Sequence, residues 1–82
     1  RGASLRSAVL FQADLTSANL YQADLTLANL RWAVLEQADL RDVDLSYADL
    51  GHAKLEYADL TGALWIDSIH RCSNQNCDGK AY

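Results

Sequence analysis

The chain has 82 residues, half of them hydrophobic and 22% charged, with seven basic residues against eleven acidic ones and a net charge of −4. That length holds one small domain, the apolar fraction excludes a disordered chain, and basic residues that never cluster exclude a nucleic-acid-binding groove. No apolar run approaches the ~20 residues of a bilayer span, so no membrane insertion is expected, and the start at Arg1 without a methionine reads as an excised domain or a processed product.

From the first residues to Trp65 one period governs the chain. Leucine stands at every fifth position from Leu5 to Leu60, and Trp65 takes the next place. Two residues before each of these stands Ala, from Ala3 to Ala63, with Val43 as the one exception. A period of five fits neither the 3.6 of a helix nor the 2 of a continuous strand, so the backbone must turn once per unit. Within a unit, Ala and Leu two apart fall on the same side of a short extended step, and the residue between them points outward. A chain that bends after each such step winds into a coil lined with Ala and Leu, whose successive turns pair their backbones at roughly 4.8 Å.

The units ADLTS (13–17), ANLYQ (18–22), ADLTL (23–27) and ANLRW (28–32) resemble the pentapeptide-repeat family, whose pattern is A(D/N)LXX. The resemblance covers residues 1–65 and implies an all-β fold: a right-handed quadrilateral β-helix of about three coils, with four units per coil and residues 20 apart stacked. Departures are Val43 at the Ala position and Ser4, Val9, Val34, Lys54 and Leu64 at the Asp/Asn position. Stacking at 20 aligns Leu5, Leu25 and Leu45, and likewise the other leucines, into core columns, with Val43 the expected tight spot among alanines.

Residues 66–82 form a second region, a cap and tail. Trp65, Ile69 and Cys72 have i, i+4, i+7 spacing, which predicts a short helical cap over residues 66–72, covering the exposed core at the end of the solenoid. Cys72 and Cys77 flank the turn-forming run Ser73–Asn76, which brings the sulfurs within reach of a disulfide, or leaves two free thiols in a reducing cytoplasm. A metal site from His70, Cys72 and Cys77 lacks a fourth ligand and the CxxC spacing of a zinc knuckle, so neither metal nor cofactor is expected.

Two kinds of catalytic arrangement are weighed and set aside. Asp24 with Asp44, and Asp39 with Asp59, stack as carboxylate pairs, but on a convex surface that offers no pocket to shift their pKa values. Ser46, Asp49 and His52 have the residue types of a triad but lie on separate faces. The expected function is therefore a non-catalytic structural or protein-interaction module with an unidentified protein partner, as a monomer or weak end-to-end dimer. The alternative implied by the resemblance is an acidic DNA mimic that binds a topoisomerase such as DNA gyrase, against which the interspersed Arg31, Arg41 and Lys54 count. A candidate binding patch comes from turn residues that carry more apolar surface than solubility requires: Leu27 and Tyr47 on one corner, Trp32 and His52 on the next, and Tyr57 on the one after. Family members occur in cyanobacteria and plastid lumens, and with the cysteine pair this resemblance implies a thylakoid lumen or periplasm, with the cytoplasm as the alternative.

Overall fold

The computed structural model describes residues 2–67 and 71–77. Every unit follows the same course, a two-residue turn and then an extended step, and the residue between Ala and Leu makes one parallel bridge to its equivalent 20 positions on. The bridges define four columns: Ser4, Asp24, Asp44 and Leu64; Val9, Asn29 and Asp49; Asp14, Val34 and Lys54; Asn19, Asp39 and Asp59. These are the four faces of a tube, and the turns are its corners.

The repeat is explained by where its backbone N–H groups go. In the unit 23–27, Ala23 N–H donates to Leu20 O within the turn, Asp24 to Ala3 O in the coil below, and Leu25 and Leu27 to Asp44 O and Ser46 O in the coil above. The remaining donor, on the first turn residue Thr26, reaches no neighbouring coil and donates instead to Asp24 Oδ1 at 3.0 Å. The same bond recurs from Thr16 to Asp14, Tyr21 to Asn19, Arg31 to Asn29, Arg41 to Asp39, Ser46 to Asp44, Gly51 to Asp49 and Thr61 to Asp59. Asp or Asn is the outward residue because a short side-chain carbonyl oxygen is what can bend back to the N–H two residues on. Val9, Val34, Lys54 and Leu64 have no such acceptor.

Inside the tube, Leu25, Leu30, Leu35, Leu40, Leu45 and Leu60 are fully buried, with the alanines filling the narrow space between columns. Leu5, Leu10 and Leu15 are only partly buried, since the first coil packs from one side. Val43 is buried between Ala23 and Ala63, and the turn bond that closes on it, Val43 N to Leu40 O, is stretched to 3.3 Å, against 2.9–3.1 Å at the other units. The extra methyls are accommodated by opening that corner.

The expected cap takes a different form, and no described residue is helical. Ile66 and Asp67 continue the turn pattern, Ser68–His70 lie outside the described residues, and Arg71 makes an antiparallel bridge to Leu64. Leu60 N–H donates to Gln75 O, Gly62 N–H to Cys72 O, and Cys72 N–H to Ala63 O, all at 2.8–2.9 Å. The physical reason is the open backbone edge of the last coil. A helix satisfies its own N–H and C=O groups and has none to give an edge, whereas an extended return supplies both.

Two predictions follow from this architecture. Leu45→Ala leaves a cavity between its stacked neighbours and is expected to cost about 2–5 kcal/mol in urea unfolding, with a smaller loss for Leu10→Ala, whose side chain is only partly buried; a cost at Leu45 under about 0.5 kcal/mol would refute its interior position. Asn29→Ala strands the Arg31 N–H and is expected to cost about 1 kcal/mol, while Lys54→Asn supplies an acceptor for Glu56 N–H and is expected to add about 0.5–1 kcal/mol. Equal stability of Lys54→Asn and the parent chain would show that the outward carbonyl is not what closes the turn.

Candidate protein-binding face

Each corner is built as a β-turn with an i→i+3 backbone bond and a positive φ at its second central residue, the signature of type II. Glycine takes that position readily, yet only Gly2 and Gly62 do so. At Gly62 (φ 77°) a Cβ would run into the Asp42 carboxylate. The other corners hold side chains in the left-handed region at φ 58–63°, among them Leu27, Trp32, Tyr47, His52 and Tyr57. That conformation costs a non-glycine residue about 1–2 kcal/mol. Ser7, Gln12 and Ser17 share it, so the strain belongs to the coil. What distinguishes the five is large side chains fixed to point away from the tube.

The register brings four of the five together in pairs. Leu27 and Tyr47 share one corner, where Leu27 N–H donates to Ser46 O. Trp32 and His52 share the next, their rings stacked with centroids 4.2 Å apart and planes within 13°. Between these corners runs the column Val9, Asn29 and Asp49. Val9 is 79% exposed and Phe11, beside it, 49%, so Val9, Phe11, Leu27, Trp32 and Tyr47 form one apolar side. Sequence reasoning missed Val9, although a Val in an outward Asp/Asn position was a signal for it. Tyr57 is 83% exposed but stands across the column Asp14, Val34 and Lys54, at a different corner. Arg31 crosses the apolar side, where the missing Cβ of Gly51 leaves room for its guanidinium, 3.5 Å from Asp49.

The chemical candidates are otherwise engaged. Ser46 Oγ donates to Asp44, Asp49 faces Arg31, and His52 lies on Trp32, so the triad types do not converge. Cys72 and Cys77 are joined in a disulfide, with Cα atoms 4.3 Å apart and both residues buried, which leaves no thiolate there for a metal; His70 lies outside the described residues. Closing so short a loop restricts the unfolded chain by on the order of 2 kcal/mol. The surface is not wholly convex: a cleft of about 490 Å³ opens among Ala48, Leu50, Ala53, Leu55, Trp65 and Ile66. Among the described residues Asp49 is the one titratable group in its lining, and they supply no second group there for acid–base work. No helix of the described residues is long and apolar enough to cross a membrane.

The model of the pentapeptide repeats matches residues 1–26 and 23–62, in eight copies. The chain belongs to the pentapeptide-repeat family. Among solved structures it is similar to a pentapeptide repeat protein from the Arabidopsis thaliana thylakoid lumen, with 32% identity, a TM-score of 0.58, and 77% of this chain matched to 48% of that one. It is also similar to HetL, a pentapeptide repeat protein involved in heterocyst differentiation regulation in the cyanobacterium Nostoc, with 40% identity, a TM-score of 0.50, and 83% of this chain matched to 34% of that one. The chain thus spans about half the length of the first and a third of the second. Nothing among the curated proteins matches it. Its fold is the right-handed β-helix of these pentapeptide-repeat relatives.

The acidic columns of this pentapeptide-repeat coil are tied into the backbone. Thr16 and Thr26 donate hydroxyl and backbone hydrogen bonds that hold Asp14 and Asp24 below the usual carboxylate range. Asp39 is held low by Arg41, whose Nε and Nη2 donate to its two oxygens at 2.9 and 2.8 Å, and which itself is pushed further up. Arg41 also lies over the Tyr21 ring, 4.9 Å from its centroid. An acidic duplex mimic draws no support from carboxylates so engaged. A carboxylate whose pKa falls on folding stabilises the fold above its unfolded value, near 4, and loses that contribution as pH drops through the folded value. Urea midpoints are therefore expected to fall as pH drops below about 4, and to fall less steeply in Asp24→Asn, which keeps a turn acceptor without a charge. Identical acid profiles for the two proteins would rule out a role for the Asp24 charge.

Proposed function

We propose that the chain is a non-catalytic protein-interaction module, and that its partner docks on the apolar side formed by Val9, Phe11, Leu27, Trp32 and Tyr47. The observation that carries this reading is their placement: among the described residues, five of the six large exposed apolar side chains lie on or beside one face, with Tyr57 apart. Scattered exposed apolar residues are ordinary on a soluble surface, but a contiguous set is the mark of an interface. Trp32 and Tyr47 supply much contact area with few rotatable bonds, which is why such residues dominate binding energy. Trp32 is half exposed even while stacked on His52, so one face of its ring staples adjacent coils and the rest is free to meet a partner.

The proposed setting is an oxidising compartment, a thylakoid lumen or periplasm. Its support is the Cys72–Cys77 disulfide, together with the lumenal source of one similar structure.

The test places a photo-crosslinking residue at Leu27 or at Tyr57 and exposes the folded protein to extract from such a compartment. A partner captured from position 27, not from 57, and lost on Trp32→Ala is the expected result. Loss of the stacked rings alone should lower the thermal midpoint by only a few degrees, on the order of 1 kcal/mol of stability. A large fall in midpoint with undiminished capture would make Trp32 a corner staple and refute the docking face.

A further inference from the structure

We propose, resting on the docking reading above, that the segment this face receives is acidic: an apolar stretch flanked by carboxylates, which Arg6 and Arg31 recognise. A chain of net charge −4 is expected to draw cations, but its charges are unevenly placed. Arg41 stands at a corner that does not border the apolar side and is committed to Asp39 by two hydrogen bonds, and Arg71 donates to Gly62 O at the last coil. Arg6 and Arg31 both border the apolar side. The turn that carries Arg6 lies beneath Thr26 and Leu27, with Ser7 N–H donating to Thr26 O, and Arg31 stands beside Trp32 at the next corner, above Phe11. Val9 lies between the two corners.

The fold leaves both guanidiniums open to a ligand. Among the described residues the exposed Arg6 side chain forms no hydrogen bond or ion pair, and its charge is the smallest of the influences on the Asp24 carboxyl. Arg31 reaches Asp49 only at 3.5 Å, with 43% of its side chain exposed, and that same Asp49 oxygen already accepts Gly51 N–H at 3.0 Å. Gly51 keeps the guanidinium on this side, since an added Cβ would lie 2.5 Å from its Nη1. The backbone adds a third donor. Val9 has no oxygen to return to the N–H two residues on, so Phe11 N–H forms no hydrogen bond among the described residues. The open polar groups here, two guanidiniums and one N–H, are all donors. A neutral apolar segment would strip water from them and return nothing, and a cationic one would add like charge. A carboxylate meets the planar guanidinium fork with two parallel hydrogen bonds, and arginine gives up its water more readily than lysine.

The test titrates the isotope-labelled full chain with two short capped peptides, alike in their leucines and phenylalanine but flanked by glutamates in one and by lysines in the other. The glutamate peptide is expected to shift the amide signals of Phe11, Leu27 and Trp32 and to leave those of Asp39 and Asp59, on the opposite column, unmoved. The lysine peptide should bind the same amides more weakly. Arg6→Gln and Arg31→Gln should each weaken the glutamate peptide about fivefold, and added salt should weaken it too, while Arg41→Gln should leave it unchanged. Unchanged thermal midpoints in the Arg6 and Arg31 variants would assign the loss to binding rather than to folding. Equal or tighter binding of the lysine peptide at these amides would overturn the acidic partner and leave the docking face standing. Absence of shifts at these amides with either peptide would also overturn it, and shifts from both peptides confined to another face would overturn the docking face with it.

Discussion

A pentapeptide unit carries five backbone N–H groups, and a coil can pair only four of them with its own turn and its two neighbours. The fifth, on the first turn residue, lies at a corner where no other strand passes. Much of the repeat follows from that donor. Asp or Asn is favoured two residues before it, because Ser is shorter and Glu or Gln has an extra methylene between the backbone and the acceptor. With the corner closed from outside, the chain can turn through a type II geometry, and the residue after the capped N–H is driven to positive φ. The inward positions are then Ala and Leu, and since four corners close within 20 residues the tube is too narrow for two large side chains per unit. Val43 shows the limit: two extra methyls at an Ala position lengthen the turn bond to 3.3 Å.

The leucine and alanine spacing made the coil legible, because a period of five has few structural solutions and burial fixes the phase. Other features were hidden for identifiable reasons. Asp24 and Asp39 read only as members of stacked carboxylate pairs on a convex surface, since a sequence shows a charge but not the N–H it folds back upon. The cap read as a helix because Trp65, Ile69 and Cys72 share helical spacing; what decided otherwise was the demand of the Leu60 and Gly62 N–H groups for carbonyl partners, which depends on the three-dimensional edge. The cleft beside Leu50 was not foreseen, since a regular coil presents none until its pattern stops. The corner pairs Leu27 with Tyr47 and Trp32 with His52 came directly from the 20-residue register, whereas Val9 went unread as a departure from the motif.

Charge is divided among the faces in a way that bears on binding. The columns Ser4–Leu64 and Asn19–Asp59 hold Asp24, Asp44, Asp39 and Asp59, while the column beneath the apolar side holds Asp49 alone, with Arg31 beside it. A cationic partner drawn to the acidic faces would compete with turn N–H and hydroxyl donors for the same oxygens, or with Arg41 at Asp39. Such competition weakens the corner it exploits. The apolar side has no such conflict: its Asn29 and Asp49 oxygens are turned toward Arg31 N–H and Gly51 N–H, and the Trp32 ring stacks on His52. A surface whose polar groups are already satisfied loses little when water leaves it, which is the condition for an apolar contact to bind.

Position along the tube strengthens that point. Nearest-neighbour stacking makes the coil with neighbours on both sides the stiffest, and here that coil runs through Leu25, Leu30, Leu35 and Leu40, all at 0% exposure. Leu27 and Trp32 are turn residues of this same coil, and Tyr47 and His52 stand directly above them in the next. Their left-handed backbones leave little freedom in φ and ψ, and the capping bonds from Arg31 N–H to Asn29 Oδ1 and from Ser46 N–H to Asp44 Oδ1 fix the adjoining corners. A partner meeting this side therefore encounters aromatic side chains whose backbone ordering has been completed on folding. Binding then immobilises few torsions, so even a face of modest area on a chain of this size can support specific association.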